Sequence, residues 1–182
     1  NMLRLLLESG ADGNVSLAMG ETPLMSASRS GKLAAVGALI EHGADVNVAE
    51  FERGQTALMW AVAQSHADVV QLLIDGGADV HARSKVRYQL ENTAGNTNPS
   101  GNFRMAHGGS TPIMFAARAG DIDTARVLLK EGANINDTAA SGVSALTQAA
   151  HSGHEDLAIF LLEEGADPNT IGAGYTALHA AV

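Results

Sequence analysis

The chain has 182 residues, enough for one compact domain or one short array of repeats. Its net charge is −9 and it contains no cysteine, which argues against general binding to nucleic acids or anionic membranes and excludes disulfides, thiolate metal sites and thiol nucleophiles. Only 4% of the residues are aromatic, so small and aliphatic side chains must build the core.

Two short phrases recur in phase along the chain. The first is Gly-Ala-Asp or Gly-Ala-Asn, beginning at Gly10, Gly43, Gly77, Gly132 and Gly165. The second is Thr or Ser, then Pro or Ala, then Leu or Ile, beginning at Thr22, Thr56, Thr111, Ser144 and Thr176. Each complete unit has 21 residues from this Thr or Ser to the next repeating Gly, whereas the connections vary from 11 to 34 residues. Constant bodies with variable connections are typical of packed elements joined by surface loops.

Each unit predicts two short helices. The Thr or Ser is a natural N-cap, and Pro23 and Pro112 fall at the first helical position, where proline costs no hydrogen bond. Apolar residues follow at helical spacing, and then a Gly breaks the chain in three units, with Ser65 in its place in the fourth. A second helix with paired aliphatic residues ends at the repeating Gly, which suits a left-handed C′ position.

In chain order, the sequence predicts a partial repeat at 1–20, repeats at 21–53 and 54–83, a long insertion at 84–108, repeats at 109–141 and 142–173, and a partial repeat at 174–182. Neither end shows the polar outer face of a capping repeat, so we expect a fragment, or the ordered part, of a longer array. The end faces would expose Leu5, Leu6, Leu7, Leu178 and Val182. This predicts fraying and end-to-end self-association, which uniform amide-exchange protection in a strictly monomeric sample would contradict.

These phrases resemble the ankyrin-repeat family. Its signature of Thr-Pro-Leu-His, Ala, Gly, paired Leu and Gly-Ala-Asp-Val-Asn is visible in nearly every unit, and residues 43–47 and 176–181 are close to verbatim. The resemblance implies an all-α solenoid of stacked helix-turn-helix units with β-turn fingers, and residues 55–61 look most like bacterial arrays. The family's His is replaced by Met25, Met59, Met114 and Thr147, so apolar contact must replace its hydrogen bonds.

The family presents its inner helices and turn tips as a concave face, and several residues are implied to point there. Trp60 and Phe115 hold the same place in consecutive units, and Arg29, Arg118 and His151 hold the place three residues further on. Trp and Arg are enriched at binding hot spots. Filling of the seam between units explains Trp60 and Phe115 equally well, and both interpretations stay open.

The insertion at 84–108 is the second candidate binding element. Its middle is rich in Asn, Gly, Ser and Thr, which predicts neither helix nor strand of any length there. The extra length costs only about 1 kcal/mol in loop closure, so tolerance alone could explain it. Long loops on rigid scaffolds are nevertheless often functional. The residues expected to bind a partner here are Lys85, Arg87, Tyr88, Phe103 and Arg104.

No motif predicts catalysis. There is no Gly-x-Ser-x-Gly elbow, and the motif Thr and Ser residues are explained as caps, so we expect no enzyme and no cofactor. His151, His154 and Glu155 form the one cluster that hints at a metal, but Gly153 separates the two histidines, and solvated side chains explain them better.

The sequence therefore predicts a non-catalytic protein–protein interaction scaffold whose partner is another protein. We expect no nucleic-acid partner and no membrane insertion, because the longest clean apolar run, 33–40, is far shorter than the roughly 20 residues of a membrane-spanning helix. Two alternatives stay open. One is an accessory or regulatory segment of a larger protein whose activity lies elsewhere, and the other is a small-ligand or metal-binding array.

Overall fold

A computed structural model describes residues 2–92 and 102–181, and the side chains of residues 2–91 and 104–181. The helices are α1 (Met2–Glu8), α2 (Pro23–Arg29), α3 (Leu33–Glu41), α4 (Ala57–Ala63), α5 (Ala67–Asp75), α6 (Pro112–Ala119), α7 (Ile122–Lys130), α8 (Ala145–His151), α9 (Glu155–Glu163) and α10 (Ala177–Ala180). The strands are β1 (Arg87–Asn92) and β2 (Asn102–His107). Val182 and the middle of the insertion, for which neither helix nor strand was predicted, lie outside the described residues.

The helices stack in two rows. The inner helices are α2, α4, α6, α8 and α10, and the outer helices are α1, α3, α5, α7 and α9. Successive inner helices contact each other more extensively than successive outer helices, so the inner row lies on the tighter side of the array. Ala61, Ala116 and Ala149 are fully buried and let the inner helices approach closely. The predicted all-α array of stacked helix pairs is confirmed, and the described residues add one two-stranded sheet to it.

The predicted N-caps form in three of the four complete units. The hydroxyls of Thr22, Thr56 and Ser144 accept hydrogen bonds from the backbone N–H three residues later, at 3.2 to 3.4 Å. The prediction is wrong for the side chain of Thr111, whose buried hydroxyl has no hydrogen-bond partner among the described residues. There the Met114 N–H donates to the backbone carbonyl of Thr111 instead, at 3.0 Å.

Ser65 preserves the turn between the two helices of its unit. Its φ is +57°, close to the +63° to +75° of the glycines at the same position in the other units. An L-residue in this left-handed region costs roughly 1–2 kcal/mol, so stacking of the neighbouring units must impose the turn. Ser65 therefore forms the same turn as the glycines of the other units.

Neighbouring units are joined by asparagine bridges between their turns. Each bridging amide donates to the repeating Gly carbonyl of the next unit, at 3.0 to 3.5 Å, and accepts from the Asp N–H two residues beyond it, at 2.7 to 2.8 Å. The bridging residues are Asn14, Asn47 and Asn136. At the junction that carries the insertion, Arg83 joins the neighbouring units in place of an asparagine. It forms an ion pair with Asp137 at 2.8 Å and donates hydrogen bonds to the carbonyls of Gly109 and Thr138.

The insertion extends one finger into a β-hairpin. Its base is closed by backbone hydrogen bonds of Ser84 with Gly109 and Ser110, at 2.9 and 3.0 Å. β1 and β2 pair antiparallel, with Arg87 opposite His107. No strand was predicted in these flanks, although β-formers and polar residues alternate over 87–91, which is a strand signal.

The end faces only partly match the expectation. Leu5, Leu6 and Leu178 are exposed by 51 to 75%, as an uncovered end requires. Leu7 was also expected to be exposed, but it is buried. It belongs to the core cluster because α1 packs on α3 and turns this side chain inward.

Candidate functional site

The finger tips form a wall that faces the inner helices. Each tip donates a backbone hydrogen bond to the tip before it, at 2.7 to 2.9 Å. The donor–acceptor pairs are Phe51 N–H to Met19, Lys85 N–H to Arg53, Ala140 N–H to Gly108 and Ala173 N–H to Ser141. Three neighbouring cavities lie between this wall and the inner helices, and we call the row that they form the groove.

The first cavity, of about 240 Å³, is the Trp60 compartment. Trp60 is partly buried in the core, and the Arg29 guanidinium lies 4.8 Å from the centre of its ring. Arg29 also pairs with Glu21 at 3.5 Å, and Glu21 lines the same cavity. The other lining residues are Met19, Glu50, Glu52, Arg53 and Gln55. This compartment therefore combines an aromatic surface with an excess of carboxylates.

The second cavity, of about 220 Å³, is the basic compartment. Arg53, Arg87 and Arg118 line it, together with His107 and the edge of Phe115. Phe115 is only 7% exposed, so it mainly fills the seam and supports the wall of the cavity. Arg118 lies 5.6 Å from the centre of this ring. The compartment shares Arg53 with the Trp60 compartment, which makes the two cavities neighbours.

The third cavity, of about 170 Å³, lies at the other side of Arg118 and His107, which line both spaces. Gln148 and Tyr175 close it. His151 does not line it, but its ring lies 6.1 Å from the Tyr175 ring. His151 is therefore at the rim of the groove rather than inside it.

The hairpin places the insertion residues that were predicted to bind a partner in different surroundings. Arg87 faces the groove, whereas the Arg104 guanidinium stacks on the exposed Tyr88 at 4.5 Å, outside the basic compartment. Lys85 sits at the hairpin base and donates from Nζ to the Phe51 carbonyl at 3.1 Å. The side chain of Phe103 lies outside the described residues.

Exposed apolar residues along the finger tips were not predicted from the sequence as candidate binding residues. Each is exposed by 54 to 73% on a turn or on the hairpin: Leu17, Met19, Phe51 and Leu90. Phe51 and Met19 are adjacent through their backbone hydrogen bond, and Met19 reaches the Trp60 compartment. The available signal was the presence of large apolar residues in turns, where polar residues are the rule.

Glu50 was also missed, and it organises a finger tip. The connection from Gly43 to Thr56 is one residue longer than the usual 12, and the longer tip folds around the Glu50 carboxylate. That carboxylate accepts hydrogen bonds from the backbone N–H groups of Glu52, Arg53 and Gln55, at 2.7 to 3.0 Å. Burial disfavours the ionised form, but these bonds and the charge of Arg53 outweigh it and lower the pKa of Glu50.

Replacing Glu50 with Gln is expected to lower the free energy of unfolding by about 1–2 kcal/mol at neutral pH, because one tip N–H loses its charged acceptor. A carboxyl whose pKa is lowered on folding stabilises the protein above its unfolded pKa, and this contribution is lost as the pH falls through its folded pKa. Denaturant unfolding from pH 7 downwards should therefore show a shallower loss below about pH 4.3 in Glu50→Gln. Glu52→Gln, an equal charge change on the same tip, should behave like the wild type.

Two histidines, His66 and His154 of the cluster that hinted at a metal, contact backbone carbonyls of the preceding units. His154 Nε2 lies 3.0 Å from the Arg118 carbonyl, and His66 Nε2 lies 3.3 Å from the Arg29 carbonyl in the corresponding place. Within residues 2–92 and 102–181, no three His, Cys, Asp or Glu side chains are grouped closely enough to hold a metal ion. These histidines instead fix the backbone of the two arginines that border the groove.

The comparisons with known proteins agree with this architecture. A family model described as ankyrin repeats (3 copies) matches residues 1–84 and, separately, residues 85–172. A search of curated proteins gave no match. Across the part of the chain that the structure describes, no helix is both long and apolar enough to cross a membrane. Ankyrin repeats are generally protein–protein interaction modules and typically non-catalytic. Because the two matches cover nearly the whole sequence, the chain belongs to the ankyrin-repeat family.

Proposed function

We propose that the protein is a non-catalytic scaffold that binds another protein in the groove between the finger tips and the inner helices. The continuous row of three cavities carries this proposal, because neighbouring cavities share lining residues and together offer aromatic, charged and polar contacts. Partly buried aromatic and arginine side chains of this kind dominate the energetics of protein interfaces.

The groove residues would have different parts in binding. Trp60 and Arg29 form a stacked pair that presents both an apolar surface and hydrogen-bond donors. Arg118 and Arg87 supply charge, and Phe115 holds the wall behind them. The exposed finger-tip residues, with the stacked Tyr88 and Arg104, would add contacts along the outer edge.

Replacement of Trp60 with Ala tests whether the groove binds the partner. We expect capture of a protein partner from the source cells to weaken by about 2 kcal/mol, or roughly thirtyfold, as is typical of a hot-spot aromatic. The matched control is Ile159→Ala, which removes a 48% exposed apolar side chain from the outer helix α9. Equal capture of the same partner by both variants would overturn the proposal.

Excision of the hairpin separates its role in folding from its role in binding. Removing residues 86–107 shortens the connection from 34 to 12 residues and leaves Ser84 and Gly109 to close the finger. Helicity should persist and the unfolding free energy should change by less than about 1 kcal/mol, because loop-closure entropy depends only weakly on length. Partner capture should weaken strongly. Global unfolding in circular dichroism would show that the hairpin is part of the core, and undiminished capture would show that it is a tolerated insertion.

A further inference from the structure

We propose that the basic compartment is a binding site for one oxyanion, a phosphate or carboxylate group carried by a segment of the partner protein. This inference rests on the proposed function, since it assigns the chemistry that the middle of the groove recognises. It follows from how the chain distributes its arginines.

The arginines divide into three groups. Three pair with carboxylates at 2.8 to 3.5 Å: Arg4 with Glu41, Arg29 with Glu21 and Arg83 with Asp137. Two stack on aromatic rings away from the basic compartment at 4.5 and 4.7 Å: Arg104 on Tyr88 and Arg126 on Phe160. The remaining three, Arg53, Arg87 and Arg118, line the basic compartment, and none forms an ion pair with a described carboxylate.

This grouping is unusual for such an acidic protein. The chain has 20 Asp and Glu residues, and the structure describes the position of every one of them. Like charges gathered around one cavity repel each other. Glu50 interacts with the charge of Arg53, and Glu91 lies beside His107. No described carboxylate, however, forms an ion pair with Arg87 or Arg118. An anion from the partner would relieve this repulsion on binding.

The polar groups around the cavity show which donors remain for a ligand. The Arg87 Nε is buried and has no hydrogen-bond partner among the described residues, which is costly unless a ligand supplies the acceptor. Lys85 is occupied by the Phe51 carbonyl. His107 Nε2 lies 2.7 Å from a Glu91 carboxylate oxygen but, like Arg87 Nε, has no hydrogen-bond partner among the described residues. The arginine guanidinium groups and His107 therefore remain available to a ligand, and the planar fork of a guanidinium suits the paired oxygens of phosphate and carboxylate.

The surroundings favour a single oxyanion on a protein segment over a nucleic acid. The whole chain carries −9, so a polyanion would be repelled beyond the cavity. Glu21, Glu50 and Glu52 line the neighbouring Trp60 compartment. A partner segment along the groove would thus place its anion beside Arg87 and Arg118 and present apolar or basic groups beside Trp60.

Titration with two probes tests the site on the intact chain. Inorganic phosphate and acetate, which carries one carboxylate, are added separately at constant ionic strength, and the Nε–Hε NMR signals of the arginines are followed. Saturable shifts are expected at Arg87 and Arg118 but not at Arg126. Binding of phosphate alone would assign a phosphate-bearing partner, and binding of acetate as well would show that a carboxylate suffices; both support the site.

Matched variants distinguish a built site from diffuse charge. Arg87→Gln and Arg118→Gln should each weaken probe binding about tenfold or more, because each removes a charged hydrogen-bond donor. Arg126→Gln, an equal charge change at an exposed position of the outer helix α7, should stay within about a factor of two, since exposed charges are screened. Thermal melts confirm that each variant is folded.

Two results would overturn the oxyanion site: no saturable shift with either probe, or equal weakening by Arg126→Gln and Arg87→Gln. Either result is distinguishable from a failure of the proposed function. If Trp60→Ala abolishes partner capture while neither probe binds, only the oxyanion site is wrong. If the probes bind as expected while Trp60→Ala leaves capture intact, the cavity is an oxyanion site and the proposed function is wrong.

Discussion

Replacing Gly120 with Ala is expected to lower the free energy of unfolding by about 2–5 kcal/mol. Gly120 has a φ of +74°, and a left-handed L-residue costs roughly 1–2 kcal/mol. A Cβ at this position would also lie 2.6 Å from Nδ1 of His154, against the ring that bonds the Arg118 carbonyl. Overpacking of this kind typically adds 1–3 kcal/mol.

Gly153→Ala is the matched control for this prediction. Its φ is +75°, but a Cβ there would meet no atom within 4 Å, so only the backbone cost of about 1–2 kcal/mol should apply. Chemical denaturation of both variants measures the difference directly. Equal losses would show that the His154 ring moves aside without cost and does not join the two units.

Replacing Ala116 with Leu is expected to cost about 1–3 kcal/mol. Ala116 is fully buried on the inner helix α6, which packs between α4 and α8. A larger side chain there forces neighbouring units apart, because the close-packed helices of a stacked array leave no free volume between units. The thermal midpoint should fall accordingly.

The same substitution at Ala119 is the control, since Ala119 lies on the same helix but is exposed. Ala119→Leu should change the thermal midpoint little. An unchanged midpoint in Ala116→Leu would mean that the units can separate to admit the extra atoms.

Much of the array could be predicted from the sequence because its stabilising contacts are local and repeated. Thr22 predicts a helix start from its neighbours alone, and the constant 21-residue spacing predicts equivalent helix pairs. The predictions fail where a contact elsewhere in the fold replaces the predicted hydrogen bond or covers the predicted exposed side chain. The Thr111 hydroxyl makes no cap because the Thr111 carbonyl holds the Met114 N–H, and Leu7 is buried because α1 rests on α3.

The candidate site was less predictable because its residues are distant along the chain. The sequence alone brought out Trp60, Phe115 and the basic insertion as separate features, and gave no reason to place Arg87 and Arg118 in the lining of one cavity. That juxtaposition depends on the pairing register of the hairpin. A shift by one residue would turn Arg87 away from the groove and bring Tyr88 toward it.

The sequence by itself determined the fold class, the repeat period, the position of the insertion and the acidic character of the chain, because each follows from residue spacing and composition. Tertiary structure alone decided which charges remain without a partner. Arg29 and Arg83 meet carboxylates 8 and 54 residues away, whereas Arg53, Arg87 and Arg118 line one cavity and form no ion pair with any described residue. Ion pairing depends on distances of a few ångströms between side chains, and only the stacking of the units and the register of the hairpin set those distances.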